Sequence, residues 1–241
     1  MKLRSMLFGG FLAVAGLALA TPAHAAYITG SASLTSLGVD NGVLVTPGNI
    51  DWTLPLNTPP NAVPTYGNFF ISGGTTQSFS TITGIGPFEI QDLSANPADG
   101  NYTPVGNNPT PNADFLRFGA LAPQSAWNFT QNYLQPGNLD PTTPFIFKDN
   151  GDTSSVDVVM RGIAWIDGTP QDVSEWVLIL TAQFTKPLQQ VLDEFAAGQA
   201  QNVGWSGTIT ATAVPEPATL LTFGLGSMYL ARRRRNQKKA Q

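Results

Sequence analysis

The chain has 241 residues, no cysteine and only 12% charged side chains, about half the share usual in soluble domains. Its net charge of -4 divides into +2 over residues 1–25, -11 over residues 26–213 and +5 over residues 214–241. The middle sets four Lys/Arg against fifteen Asp/Glu, so it repels phosphate backbones and anionic lipid, which excludes nucleic-acid binding. The lack of cysteine excludes disulfide scaffolds, thiolate zinc sites and cysteine nucleophiles together.

In chain order, Lys2 and Arg4 precede an apolar run from Met6 to Ala20, and Ala23-His24-Ala25 follows as an A-x-A cleavage pattern. This predicts a secretory signal peptide over 1–25, cut by signal peptidase between Ala25 and Ala26. The cut removes His24, the only histidine. Residues 26–213 are long enough for one domain with a substantial core. Short alternating runs separated by Gly, Pro and Asn predict antiparallel strands with one buried face. The runs are Tyr27–Ser36, Gly48–Thr53, Asn68–Ser72, Gln77–Ile82, Phe88–Leu93, Asp114–Phe118, Trp127–Tyr133, Pro144–Lys148, Ser155–Asp167, Val177–Thr185 and Val203–Thr212.

Within them, Phe88 and Ile90 alternate with Glu89 and Gln91, and Trp127, Phe129 and Tyr133 share a face. Trp205, Gly207 and Ile209 face opposite to Ser206, Thr208 and Thr210, which fixes register. Val177–Thr185 is apolar on both faces and reads as central. Pro55–Gly67 and Asn96–Asn112 carry four prolines each and read as long loops without packed elements. Leu188, Val191, Leu192 and Phe195 fall at helical spacing between Pro187 and Gly198, which predicts a helix over Pro187–Ala197 with Phe195 inward. The expected fold is therefore all-β, an antiparallel two-sheet β-sandwich of jelly-roll-like form with one short helix, between an N-terminal signal helix and a C-terminal membrane helix.

The far end reads Val214-Pro215-Glu216-Pro217, then fourteen mostly apolar residues from Ala218 to Ala231, then Arg232, Arg233, Arg234 and Arg235. As a helix that apolar stretch is about 21 Å long, short of the roughly 30 Å hydrocarbon core, so it is marginal as a permanent anchor. The arginines hold the C-terminus on the cytoplasmic side as a stop-transfer signal. This tail resembles the PEP-CTERM sorting signal of bacterial envelope proteins. The resemblance implies export, transient retention in the inner membrane through 218–231, and recognition of Pro215, Glu216 and Pro217 by an exosortase. It further implies removal of the tail as the protein passes to the cell surface or the extracellular matrix, where association with exopolysaccharide or a biofilm is the role expected here. The middle is similar, less specifically, to a group of PEP-CTERM β-sandwich proteins, through Gly30, Trp52, Gly74-Thr75 ahead of Phe79, Ile90-Gln91-Asp92-Leu93, Phe115-Leu116, Thr181-Ala182-Gln183-Phe184 and Trp205-Ser206-Gly207-Thr208.

With His24 gone, no Ser/His/Asp triad, Cys/His pair or His-ligated metal is available to the exported part. A glycosidase needs only two carboxylates, and Glu89, Asp92, Glu175 and Glu194 are the candidates by type, although Glu89 and Glu194 read as solvated. Calcium needs only oxygen ligands. Asp149-Asn150-Gly151-Asp152 offers a weak site at Asp149 and Asp152, and Asp92 with Asp99-Gly100-Asn101 a second arrangement. No Glu closes either loop, and Asp-Asn-Gly is an ordinary turn former. Tyr66 and Tyr102, in the two proline-rich loops, either stack on a sugar ring or pin those loops to the core. Trp52, Trp127, Trp165, Trp176 and Trp205 are assigned to the core, and Arg117 and Arg161 to pairing with carboxylates. The leading expectation is a non-catalytic surface or matrix protein without cofactor. The alternative is a carbohydrate-binding module or carbohydrate-active enzyme on the same sandwich.

Overall fold

The computed structural model describes residues 26–36, 43–52, 66–82, 86–98, 102–119, 126–170 and 172–214. Among them the strands are β1 (Gly30–Thr35), β2 (Val43–Val45), β3 (Asn49–Asp51), β4 (Tyr66–Gly73), β5 (Phe88–Gln91), β6 (Leu93–Ser94) and β7 (Gly106–Asn112). They continue as β8 (Leu116–Arg117), β9 (Trp127–Leu134), β10 (Ile146–Asp149), β11 (Ser154–Ile166), β12 (Ser174–Phe184), β13 (Gln201–Val203) and β14 (Trp205–Ala213), with helix α1 at Leu188–Ala196. Ten strands form one sheet in the order β7-β9-β11-β12-β14-β1-β4-β5-β8, with β10 paired to β11 outside that path; β13-β2-β3-β6 form a second. Every pairing between these strands is antiparallel. The expectation of a mainly β chain with two antiparallel sheets and one helix holds. The strand division does not match the paired four-stranded sheets of a jelly roll.

The long strands follow the period-2 pattern. In β12, Trp176, Leu178, Leu180, Ala182 and Phe184 are buried while Glu175, Ile179 and Gln183 are exposed. The strand is central, between β11 and β14, but its outer face is open, and Ile179 lies opposite Thr208 with 43% of its surface in water. In β14, Trp205, Ile209 and Ala211 are buried and Ser206, Thr208 and Thr210 exposed, as the alternation requires.

The large sheet rolls over its own inner face. A register shift between Ser33 and Leu34 redirects β4, and the Phe115 N–H donates to the Phe129 carbonyl at 2.7 Å, bringing the β8 end back onto β9. Aromatic rings fill the enclosed space. Phe118 lies 5.2 Å from Phe129 and 5.3 Å from Phe69, and Phe79 lies 5.6 Å from Trp127. Such tilted and edge-on pairs each contribute about 0.5–1.5 kcal/mol beyond simple area burial. The small sheet closes the rest of the inner face. Val43, Val45, Ile50 and Trp52 pack on Val156, Val158, Leu180 and Trp205, with Trp52 edge-on to Trp205 at 5.0 Å.

Helix α1 buries Val191 and Phe195, and Phe195 meets Phe145 and Phe147 at 5.7 and 5.8 Å. Gly198, at φ +72°, ends it as the sequence predicts. Lys186 donates to Glu194 at 2.7 Å and clips the helix to the end of β12. With Lys186 first and Gln190 second as hydrogen-bond donors, the Glu194 carboxyl is held below the usual glutamate range.

Several local expectations are corrected. Gln77–Ile82 is not a strand but a 3-10 turn over Gln77–Thr81 that buries Phe79. Its Ser/Thr side chains bond local carbonyls, Thr81 Oγ1 donating to Ser78 O at 2.7 Å, which competes with a ladder. The loop expected over Asn96–Asn112 contains β7, whose Pro109 and Pro111 fall between the paired residues Asn107 and Asn112 at the sheet edge, where proline is tolerated. Asp114, at φ +52°, shortens the strand expected from Asp114 to Phe118. A register shift at Arg161/Gly162 breaks the even phase of β9, so Gln131 and Leu134 are buried and Tyr133 is not. Gln91 is likewise buried, against its expected outward phase. Trp165 is only half-buried, whereas the other four tryptophans are core residues.

Candidate functional site

Three places bear on function: a cleft, the scattered carboxylates, and the pole where both ends of the domain emerge. The cleft has a volume of about 360 Å³ and lies between the small sheet and the Leu134 end of β9. Asn49, Ser94, Tyr102, Thr103, Thr142 and Phe145 line it, and prolines stiffen its walls. No charged side chain lines it among the described residues. A bridge between Ser94 and Tyr102 and a 2.8 Å bond from the Thr103 N–H to Ser94 O hold Tyr102 at the wall. Behind Thr103, the Asn112 side-chain amide donates to Thr103 Oγ1 at 2.6 Å and to Gln131 Oε1 at 3.2 Å. These amides are buried, so the wall is backed by neutral polar groups. At the rim, Asp140 accepts the Thr142 hydroxyl and N–H at 2.7 and 2.9 Å, which holds its carboxyl below the usual aspartate range.

Tyr66 stands apart from the cleft. It is the first residue of β4, and the Arg117 guanidinium lies 4.0 Å over its ring while Nη2 donates to its hydroxyl at 3.1 Å. Burial pushes the Tyr66 phenol above its ordinary value, partly offset by Arg117. Arg117 also bridges to Glu89 at 3.2 Å and Asp114 at 3.7 Å, as the expected carboxylate pairing requires. Arg117 covers one face of the Tyr66 ring, and the structure does not bring Tyr66 together with Tyr102. Among the described residues Arg161 forms no ion pair with a carboxylate, and its guanidinium lies 5.6 Å over the Tyr133 ring.

The four candidate catalytic carboxylates stand on separate elements with separate surroundings. Glu89 is held by Arg117 and Glu194 by Lys186. Asp92 is buried and accepts the Trp52 N–H at 2.8 Å, joining the end of β3 to the β5–β6 turn. Glu175 is exposed on the outer face of β12. Among the described residues no three His, Cys, Asp or Glu side chains form a cluster that could hold a metal ion. Asp149 and Asp152 lie exposed at the β10–β11 turn, where Asp149 Oδ1 accepts the Gly151 N–H at 2.9 Å and Gly151 adopts φ +84°. That is the geometry of a hydrogen-bonded turn.

The third place was invisible in the sequence. The Ala26 N–H donates to Asp172 Oδ2 at 2.9 Å, and the Val214 N–H donates to Val173 O at 3.0 Å. Ala213 pairs with Ser174 at the end of β14. Three consecutive residues, Asp172 to Ser174, thus receive both ends of the domain. Nothing in the local pattern marks a lone Asp in a turn as the partner of a residue at the far end of the chain.

The expected signal segment 1–25 with its Ala25 side of the cut, the Pro215-Glu216-Pro217 element, the apolar stretch 218–231 and Arg232 to Arg235 lie outside the described residues. No helix among the described residues is long and apolar enough to cross a membrane. Compared with known families, residues 213–235 match the PEP-CTERM protein-sorting motif. No curated protein and no solved structure matches the chain.

Proposed function

We propose that this PEP-CTERM protein, exported and directed to the envelope as an exosortase substrate, serves there as a non-catalytic component of the cell surface or extracellular matrix. Its partners in processing are signal peptidase at Ala25/Ala26 and an exosortase at Pro215–Pro217, with residues 218–231 held transiently in the inner membrane. Its lasting partner is exopolysaccharide of a biofilm. The observation that carries the reading is continuity. The sorting motif begins at Ala213, the last residue of the core strand β14, so separation of the tail at the Pro-Glu-Pro element leaves the paired strand whole. Exchanging Pro215 and Glu216 for Ala is expected to leave an unprocessed, cell-retained product. The size and fraction of exported protein measure this, and an unchanged product rules the sorting role out.

The cleft favours a carbohydrate-binding version of this role over a carbohydrate-active one. Its described lining combines one tyrosine with hydroxyl and amide groups and no charged side chain, which suits the apolar faces and neutral hydroxyls of a sugar. A domain of charge -11 favours neutral over acidic polymer. The exported protein is expected to retain a neutral exopolysaccharide in a pull-down, and Tyr102→Ala to weaken retention about tenfold, equivalent to ~1.4 kcal/mol. Tyr66→Ala is expected to leave it unchanged. Equal retention by the Tyr102 variant removes the cleft from the account.

A further inference from the structure

We propose that Asp172 is the binding site for the α-ammonium group created when the leader is removed, so that cleavage between Ala25 and Ala26 completes a buried ion pair at the pole shared by both ends of the domain. Asp172 retains only 6% of its surface, and its Oδ2 accepts the Ala26 nitrogen at 2.9 Å across 146 residues of sequence. Among the described residues no Lys or Arg forms an ion pair with it. The neighbouring carboxylates are otherwise placed: Asp167 accepts the Asn128 amide at 2.7 Å, and Glu175 is exposed on the outer face of β12. A carboxylate this buried is costly unless it is paired as well as hydrogen-bonded. In the uncut chain its partner at Ala26 is a neutral peptide N–H.

Hydrolysis of the Ala25–Ala26 peptide bond balances the site. Water adds across the amide; the new carboxylate leaves with Ala25, and the amine stays on Ala26 and takes up a proton. The nitrogen that already faces Asp172 then carries a positive charge and three N–H donors in place of one. Because Val173 O holds Val214 from the other side of the same turn, the pair also fixes the segment from which the sorting tail departs. A cut at another bond would put a peptide N–H, or a displaced amine, against the buried carboxylate.

The test uses the full-length chain exported and processed by a secretion-competent bacterium. Intact mass identifies the new N-terminus, and the Ala26 amine is acetylated with a limiting active ester at about pH 7, with the rate read from the N-terminal peptide. A free α-amine titrates at about 7.7–8.0 and a paired one higher by a unit or more. The folded protein is therefore expected to react about tenfold more slowly than the same chain in urea, and folded Asp172→Asn to return to within about threefold of it. Equal rates in the folded and unfolded wild type, protection that survives in Asp172→Asn, or an N-terminus other than Ala26 overturns the proposal. Should that variant fail to fold, the wild-type pH profile decides. A paired amine begins to react about one pH unit above the unfolded chain, whereas a merely occluded amine rises at the same pH to a lower plateau and contradicts the pairing.

Discussion

Trp176→Ala is expected to cost about 3–5 kcal/mol of folding stability, the range for removing a large aromatic from a packed core. The indole is fully buried and lies parallel to Phe115 at 5.8 Å, with Phe129 at 6.2 Å. Its N–H donates to Ile163 O at 3.1 Å, so truncation also leaves a carbonyl with one partner fewer. The neighbouring strand is shaped to the ring. Gly162 is the register partner of Trp176, and a Cβ built on it would lie 2.6 Å from the indole and 1.9 Å from Thr130 O. Gly162→Ala is therefore expected to destabilise by overpacking, at least about 1–3 kcal/mol. Because the two residues touch, their effects should not add, and the double variant should cost less than the sum of the singles. Urea midpoints at unchanged slope measure all three. A Trp176→Ala cost below about 1 kcal/mol would contradict the packing of the rolled sheet.

Trp205→Ala is expected to cost a similar ~3–5 kcal/mol and to do so in a different place. Trp205 belongs to β14 of the large sheet, but its ring faces Trp52 at the end of β3, 5.0 Å away. It is a principal contact through which the small sheet sits on the large one, together with the aliphatic layer of Val43, Val45, Ile50, Val156, Val158 and Leu180. Two walls of the cleft, Asn49 and Ser94, are carried by β3 and β6 of that small sheet. The truncation should thus speed amide exchange in β2 and β3 before it does so in β11 and β12, and it should weaken polysaccharide retention along with stability. Uniform acceleration across both sheets would show that they open as one unit.

What the chain discloses before folding depends on the range of the interaction. The alternation through β12 and β14 and the i, i+3, i+4, i+7 spacing of α1 are local patterns, and each predicts its element and its buried face. Gln77–Ile82 also alternates, yet its hydroxyls find backbone partners three residues away and make a turn. β7 hides behind Pro109 and Pro111 because proline content signals a loop, whereas an edge strand with a register shift accommodates both. Site geometry is harder to read. Tyr66 and Tyr102 look equivalent in sequence, and only the fold puts Arg117 over one and leaves the other at the wall of a cleft. The amides of Asn112 and Gln131, and Asp172 under Ala26, join distant segments and leave no local trace. The sorting element is legible for the opposite reason: it is recognised as a linear string, so its order of Pro-Glu-Pro, apolar stretch and arginines is the feature itself.

The most direct test is the intact mass of the wild-type protein recovered from outside the producing cells. The expected product begins at Ala26, ends at the Pro215–Pro217 element and lacks the apolar stretch 218–231 and Arg232 to Arg235. A product found outside the cell with its tail still attached, or a chain that never leaves the cell, would contradict it.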